Sequence, residues 1–343
     1  MESCLESLLN INIEHAKKFT DPAATLERRR YRYEHPTEIA ALKCMDGRLH
    51  LPVMTQTPAG IIQPWRNIGG KFDLGWYGFQ ASMASWVEYA IRNGKRCLVL
   101  TTYHYARGDH HRGCKGFGYD TDAAKASAFK LKAQFERVFG SGVVHTIAVG
   151  IETDLEALIL HGEKGQVVDL AEQTFVDADS LKRLLQELYP SMDPQIRRDF
   201  LPLVEGNIRH IAEVRASNRL TVETEHREWV LGIGRGFDWL HKINTALLVG
   251  PFDPNVAPSI AVAAKLLLGN IQEGRVSGKI VLMSSALYPR SSGYEPALAK
   301  EKALFYLNFA SEIIEREVPE LLTHLEKVAI RVDINTHKAE VVS

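Results

Sequence analysis

Cys44, His104 and Cys114 are residues whose types and spacing could hold a metal ion. Thiolate is a soft ligand and imidazole a borderline one, so two cysteines with a histidine select zinc over magnesium or calcium. Three protein ligands leave a fourth position open, as catalytic zinc sites do. Cys44 also opens the run Cys44-Met45-Asp46-Gly47-Arg48-Leu49, in which a carboxylate and a guanidinium follow at two-residue steps. Asp46 and Arg48 are close enough for a bidentate ion pair that keeps the carboxylate ionised and fixed. An ionised aspartate beside a reactive hydroxide can accept its proton as a hydrogen bond. That aims an oxygen lone pair at an incoming carbon.

Taken singly, these residues say little. A lone cysteine is usually a small core residue, and a lone histidine is usually a satisfied polar group. The joint arrangement carries the metal reading, and the histidine is its open member. His111 and Cys114 form H-x-x-C, the tighter local spacing, whereas His104 closes an apolar run, and His110 is a third candidate. Strand ends are more rigid than loops, which favours His104, with His111 as the alternative. His50, His110 and His111 are proton-shuttle candidates by residue type alone.

The elements that must position these groups follow from apolar patterning. A strand over 38–45 delivers Cys44 at its carboxyl end, where open α/β sheets bind ligands. A second strand over 96–103 ends at His104. Residues 50–80, rich in Pro, Gly and aromatics, read as a long loop over the site. Helices are expected over 2–19, 82–93, 121–139 and 179–218, with further strands over 143–151 and 157–160. This alternation is typical of a parallel sheet flanked by helices. The arginine run 28–30 reads as a solvated face or a partner contact, and 214–228 as a domain boundary.

The second half of the chain repeats the first. Lys279–Ala286 matches Arg96–Tyr103 in character at an offset of 183, and at the same offset Val332–Thr336 falls on Val149–Thr153. A helix is expected over 256–268 and a strand at 229–233. The copy lacks the chemistry: Leu287 stands where His104 stands, and no cysteine follows Cys114. Gly232-Ile233-Gly234-Arg235-Gly236-Phe237 is one glycine short of a dinucleotide fingerprint and reads as a tight turn. The expected organisation is therefore a short helical arm over 1–35, a zinc-bearing domain over 36–222 and a metal-free duplicate over 223–343.

Composition narrows the function classes. With 41 basic and 42 acidic residues among 343, the net charge of −1 offers no argument for nucleic acid or an anionic membrane. No stretch approaches the ~18 uninterrupted apolar residues of a membrane span. The amino-terminal stretch lacks a signal-peptide pattern. Four cysteines in so long a chain fit a reducing cytoplasm better than a disulfide framework.

These residues resemble a family. C-x-D-x-R followed by His and Cys is similar to the metal pattern of β-class carbonic anhydrases, and Arg66-Asn67-Ile68-Gly69-Gly70 looks like their R-N-A-G-N loop. The closer resemblance is to the carboxysomal carbonic anhydrases. It rests on Cys44–Leu49, on Tyr103-His104 followed by His111-Arg112-Gly113-Cys114, and on Gly150-Ile151-Glu152-Thr153-Asp154. The resemblance implies an α/β fold of the β-carbonic-anhydrase type, duplicated as a pseudo-dimer with one metal-free half. It implies zinc on Cys44, His104 and Cys114, with Asp46 and Arg48 catalytic. The implied reaction is reversible hydration of carbon dioxide to bicarbonate by zinc-bound hydroxide. A homo-oligomer is expected, with carboxysome components as further partners, although the amino-terminal region tied to carboxysome assembly is reduced here to about 35 residues. The competing readings are a zinc hydrolase of carbonyl sulfide or carbon disulfide on the same scaffold, and a non-catalytic assembly protein stapled by zinc.

Overall fold

The structure is a computed structural model describing residues 3–140, 142–173, 178–217, 225–240, 242–289 and 293–342. Two helices come first, α1 (Cys4–Thr20) and α2 (Pro22–Glu34). A capping box starts α1: the Ser3 hydroxyl accepts from the Glu6 N–H and the Glu6 carboxylate accepts from the Ser3 N–H. The helix α2 has no apolar stripe to betray it. Asp21 caps it by accepting from the N–H groups of Ala23 and Ala24, and an Arg30–Glu34 pair at 2.7 Å braces its last turn. Arg28 is buried there while Arg29 and Arg30 are exposed, so the arginine run is not wholly a solvated face.

Next come β1 (Glu38–Cys44), α3 (Leu51–Met54), β2 (Ile62–Asn67), α4 (Tyr77–Arg92) and β3 (Cys97–Tyr105). They are followed by α5 (Thr121–Phe139), β4 (Val144–Glu152), β5 (Ala157–His161), β6 (Val167–Asp169), α6 (Ala178–Leu188) and α7 (Pro194–Ala216). The six strands form one sheet in the order β2-β1-β3-β4-β5-β6. β1, β2, β3 and β4 run parallel; β5 and β6 are antiparallel additions.

Three sequence expectations are corrected. The supposed loop over 50–80 contains α3, β2 and the first residues of α4. The strand β2 carries Pro64, which a central strand would not tolerate; it sits at the sheet edge and pairs with β1 alone. β5 is not a parallel strand, because the few residues after β4 are too short for a crossover and make a hairpin instead. The single helix expected over 179–218 is two, interrupted before Pro194, and its last residue lies outside the described ones.

The remaining elements are β7 (Val230–Gly234), β8 (Ala246–Val249), α8 (Ala257–Gln272), β9 (Ile280–Tyr288), α9 (Glu295–Glu317), β10 (Leu325–Asp333) and β11 (Ala339–Val341). Their strands form a second sheet, β11-β10-β9-β7-β8, parallel except for β11. The chain divides into two compact units. One holds 27–44 and 49–224; the other holds 1–26, 45–48 and 225–343. The boundary expected between 222 and 223 lies outside the described residues. In the second unit Leu8 of α1 is fully buried in a core with Val230, Trp239, Leu248, Met283 and Ile330.

The duplication can be tested by register. Cys97 opens β3 and Ile280 opens β9, an offset of 183, and both strands have nine residues. Their parallel neighbours β4 and β10 start opposite those residues, at Val144 and Leu325, an offset of 181. The ungapped match of Val332–Thr336 to Val149–Thr153 is therefore out by two residues, because the second crossover is two residues shorter. Asp333 corresponds to Glu152, the last residue of β4. Both are buried carboxylates that accept the N–H two residues on, at 2.9 and 2.7 Å.

A buried histidine adds to the acid sensitivity of the first sheet. Tyr103 and His161 meet at 2.9 Å between Oη and Nε2. Burial, with Lys125 adding to it, lowers the His161 pKa from 6.5 to about 4. The unfolded chain then binds the extra proton between those values, so stability falls as pH drops from about 6.5 to about 4. The full loss is about 3 kcal/mol. Urea titrations at pH 7 and pH 4.5 should show this loss, and His161→Gln should flatten the difference. An unchanged slope in the variant would disprove the assignment.

Candidate metal centre

The first metal-ligand candidate is placed by the end of β1 and the second by the end of β3. Leu42 lies opposite Thr101, so Cys44 and His104 project from neighbouring strands near their carboxyl ends. The chain turns in opposite directions from these two strands, with β2 on one side of β1 and β3 on the other. Such a switch point leaves a crevice at the strand ends. Cys114 arrives on the loop after β3, just before a short 3-10 turn at Lys115–Phe117 whose cap its sulfur does not serve.

The three ligand atoms of Cys44, His104 and Cys114 lie within 4.8 Å of one another, and all three residues are buried. Zinc–sulfur and zinc–nitrogen bonds of about 2.0–2.3 Å hold tetrahedral ligand atoms about 3.3–3.8 Å apart, so a single ion is within reach of all three with small adjustments. His111 is exposed on a separate 3-10 turn, His110–Arg112, its ring tilted against that of His110 with centroids 3.9 Å apart. The structure brings His104 to the cluster and leaves His111 at the surface. His50 is buried, and His110 is exposed.

Two loops fix this geometry. Asp154 accepts from the N–H groups of Arg107 and Gly108 at 3.0 Å each, and the Arg112 guanidinium lies 3.0 Å from it. The aspartate thereby pins the segment between His104 and Cys114, which gives Gly150–Asp154 a physical role. The Arg66–Gly70 loop does the same for Cys44. Gly69 and Gly70 both have φ of 63°, and a Cβ on Gly70 would come 3.4 Å from the Cys44 nitrogen and 3.1 Å from the Thr102 carbonyl. Only glycine combines that left-handed backbone with so close an approach. Lys71 closes the loop by donating to the Gly116 carbonyl at 2.6 Å.

Residues 35–205 match the family described as Carboxysome Shell Carbonic Anhydrase, catalytic domain. Through that region the chain belongs to the carboxysomal-type carbonic anhydrase family. All three clustered residues lie within the match, as do Asp46 and Arg48. No curated protein matched the chain.

Asp46 and Arg48 follow Cys44 at two-residue steps. Arg48 donates from Nε to Asp46 Oδ1 at 3.0 Å and from Nη2 to Oδ2 at 2.7 Å, and its backbone N–H also donates to Oδ1 at 2.9 Å. Both side chains are buried. The pair has two further neighbours that sequence reading missed, His226 and Glu228. His226 Nε2 is 3.2 Å from Arg48 Nη2, and its Nδ1 is 3.1 Å from each Glu228 oxygen. Since guanidinium can only donate, Nε2 accepts from it, which places the imidazole proton on Nδ1, facing Glu228. Asp46, His226 and Glu228 also bring ligand atoms within 4.8 Å of one another. The Arg48 guanidinium already sits on the Asp46 oxygens, which makes that trio a hydrogen-bonded chain and a poor cation site. Among polar residues, nothing in the run Glu225-His226-Arg227-Glu228 announces a partner nearly 180 positions earlier.

Proposed function

We propose that this protein is a zinc-dependent carbonic anhydrase that interconverts carbon dioxide and bicarbonate. The observation that carries the reading is the buried Cys44–His104–Cys114 cluster inside the family's catalytic region, with a bidentate Asp46–Arg48 pair just after Cys44 in the chain. Its donor set fits zinc: two sulfurs, one nitrogen and no carboxylate oxygen. Zinc held there would supply Lewis acidity, which in the well-studied three-histidine carbonic anhydrase sites lowers the pKa of water to about 7.

The chain's own residues do the rest. Arg48 holds Asp46 ionised and fixed, through three hydrogen bonds. Asp46 then accepts the proton of the attacking oxygen as a hydrogen bond and turns its lone pair toward the carbon. The new carbon–oxygen bond yields bicarbonate, and the proton released passes to solvent buffer. Arg48 engages both Asp46 oxygens, which supports a carboxylate held by the guanidinium; a protein merely stapled by zinc would instead close its site with a fourth protein ligand. Carbon dioxide and bicarbonate are thus the proposed small-molecule partners. The family's description names the carboxysome shell, so shell components are the proposed macromolecular ones.

Metal analysis on the purified protein, coupled to parallel assays with carbon dioxide, carbonyl sulfide and carbon disulfide, tests the reading. One zinc per chain and rapid hydration of carbon dioxide are expected. Full activity in a metal-free preparation would refute the mechanism. Turnover of a sulfur substrate with none of carbon dioxide would reassign the enzyme.

A further inference from the structure

The second sheet has its own switch point, and the residues there are of the opposite chemical kind. β8 lies on one side of β7 and β9 on the other, as β2 and β3 flank β1. Leu42 faces Thr101, the fifth residue of β3, and Ile233 faces Ser284, the fifth residue of β9. Two residues on from each, Cys44 corresponds to Arg235. Where one half presents a ligand for a cation, the other presents a cation.

Arg235 is half-buried, and its side chain makes no hydrogen bond or ion pair with a described residue. Its guanidinium carbon lies 5.8 Å from the centre of the Phe252 ring. A second cation comes from α9: Lys302 is exposed at the rim, with Nζ 5.8 Å from the Tyr306 ring centre. On β9, Ser285 is fully buried, and its hydroxyl has no hydrogen-bond partner among the described residues. Gly236, at φ 95°, keeps the space before that hydroxyl clear, since a Cβ there would come 3.2 Å from Ser285 Oγ and 2.9 Å from Leu287. The Arg235 N–H is tied to the Ser285 carbonyl at 3.1 Å, so the turn holds both residues together.

The electrostatics agree with this geometry. Burial lowers the Arg235 pKa, opposed by Asp238 and Tyr306. Desolvation also lowers the Lys302 pKa, and the Arg235 charge lowers it further. Burial pushes the Tyr306 hydroxyl up to about 12, so it stays neutral. Asp238 offsets part of the Arg235 charge, and no carboxylate among the described residues acts on Lys302, so the pair stays net cationic. Two partly desolvated cations of like sign, beside an unsatisfied buried hydroxyl, cost free energy that a bound anion offsets.

We propose that the crevice at the carboxyl ends of β7 and β9 binds a small oxyanion. Arg235 supplies the forked pair of donors, Lys302 the second charge and Ser285 a neutral donor. Planar bicarbonate and tetrahedral phosphate share this chemistry, and separate titrations distinguish them. Calorimetry on the full-length protein at low ionic strength should show saturable binding of at least one of the two, bicarbonate or inorganic phosphate, below about 10 mM. Arg235→Gln should weaken that binding by about tenfold or more, and Lys302→Gln by about threefold or more. The exposed Lys302 position keeps the test available if the Arg235 variant does not fold. Whichever anion binds more tightly assigns the geometry of the site. Absence of binding by both anions overturns the proposal. So does binding that neither substitution changes, as expected of an anion held only at the metal centre.

Discussion

Replacing Cys44 or Cys114 with serine is expected to remove bound zinc and carbon dioxide hydration together. A serine hydroxyl does not ionise near neutral pH, so the variant offers a neutral oxygen where a thiolate is needed. Both cysteines are buried, and the ligand atoms around them are already gathered within 4.8 Å. The substitution therefore changes the donor while leaving the neighbouring packing nearly intact. Loss of a residue that merely supports a metal ligand costs about 10–100-fold in affinity or activity, so loss of a ligand itself should exceed about 100-fold. Cys97 is the internal control. It is buried at the start of β3, far along the strand from His104, and burial pushes its thiol up to about 12. Cys97→Ser should keep both zinc and activity. Metal content by mass spectrometry and initial hydration rates on the three variants would check this. Retention of stoichiometric zinc with full activity in either Cys44→Ser or Cys114→Ser would remove those residues from the site.

The parts of this site that could be read from sequence are those delivered by buried strands. β1 and β3 are near-continuous apolar runs, and their ends announce Cys44 and His104 without knowledge of the fold. The Asp46–Arg48 pair was legible because a two-residue step in a turn allows little else. Other elements are hidden for physical reasons. The strand β2 contains Gln63, Pro64 and Arg66, which an edge strand can carry but which erase an apolar pattern. β8 is only Ala246–Val249, too short for periodicity to register. His226 and Glu228 sit among charged residues and acquire meaning only when folding brings them to Arg48. The repeat expected at an offset of 183 agrees with the register of one strand, β9 with β3, whereas the second match slips because an ungapped offset cannot absorb a crossover shortened by two residues.

Expressing residues 1–222 alone is expected to give an insoluble or inactive fragment, since Met45–Arg48 and Leu8 take their packing partners from residues 225–343. Met45–Arg48 belongs to the compact unit that contains 225–343. The Met45 carbonyl accepts from the Leu248 N–H at 3.0 Å, and the Gly47 carbonyl accepts from the Asn244 N–H at 3.2 Å. The Gly47 N–H donates to Glu228 Oε1 at 3.3 Å, and Arg48 meets His226 at 3.2 Å. Removing 223–343 takes away every one of these partners and strips Leu8 of the core in which it is buried. The exposed apolar surface promotes aggregation, and an Asp46–Arg48 pair without its backbone anchors is free to wander. Glu228→Gln in the full-length chain separates these effects. It keeps the fold and zinc, but it weakens the hold on the His226 tautomer that receives the Arg48 hydrogen bond. Hydration should fall by about 10–100-fold at unchanged metal content. A soluble 1–222 fragment that binds one zinc and hydrates carbon dioxide at the full-length rate would show that the second half positions nothing in the reaction.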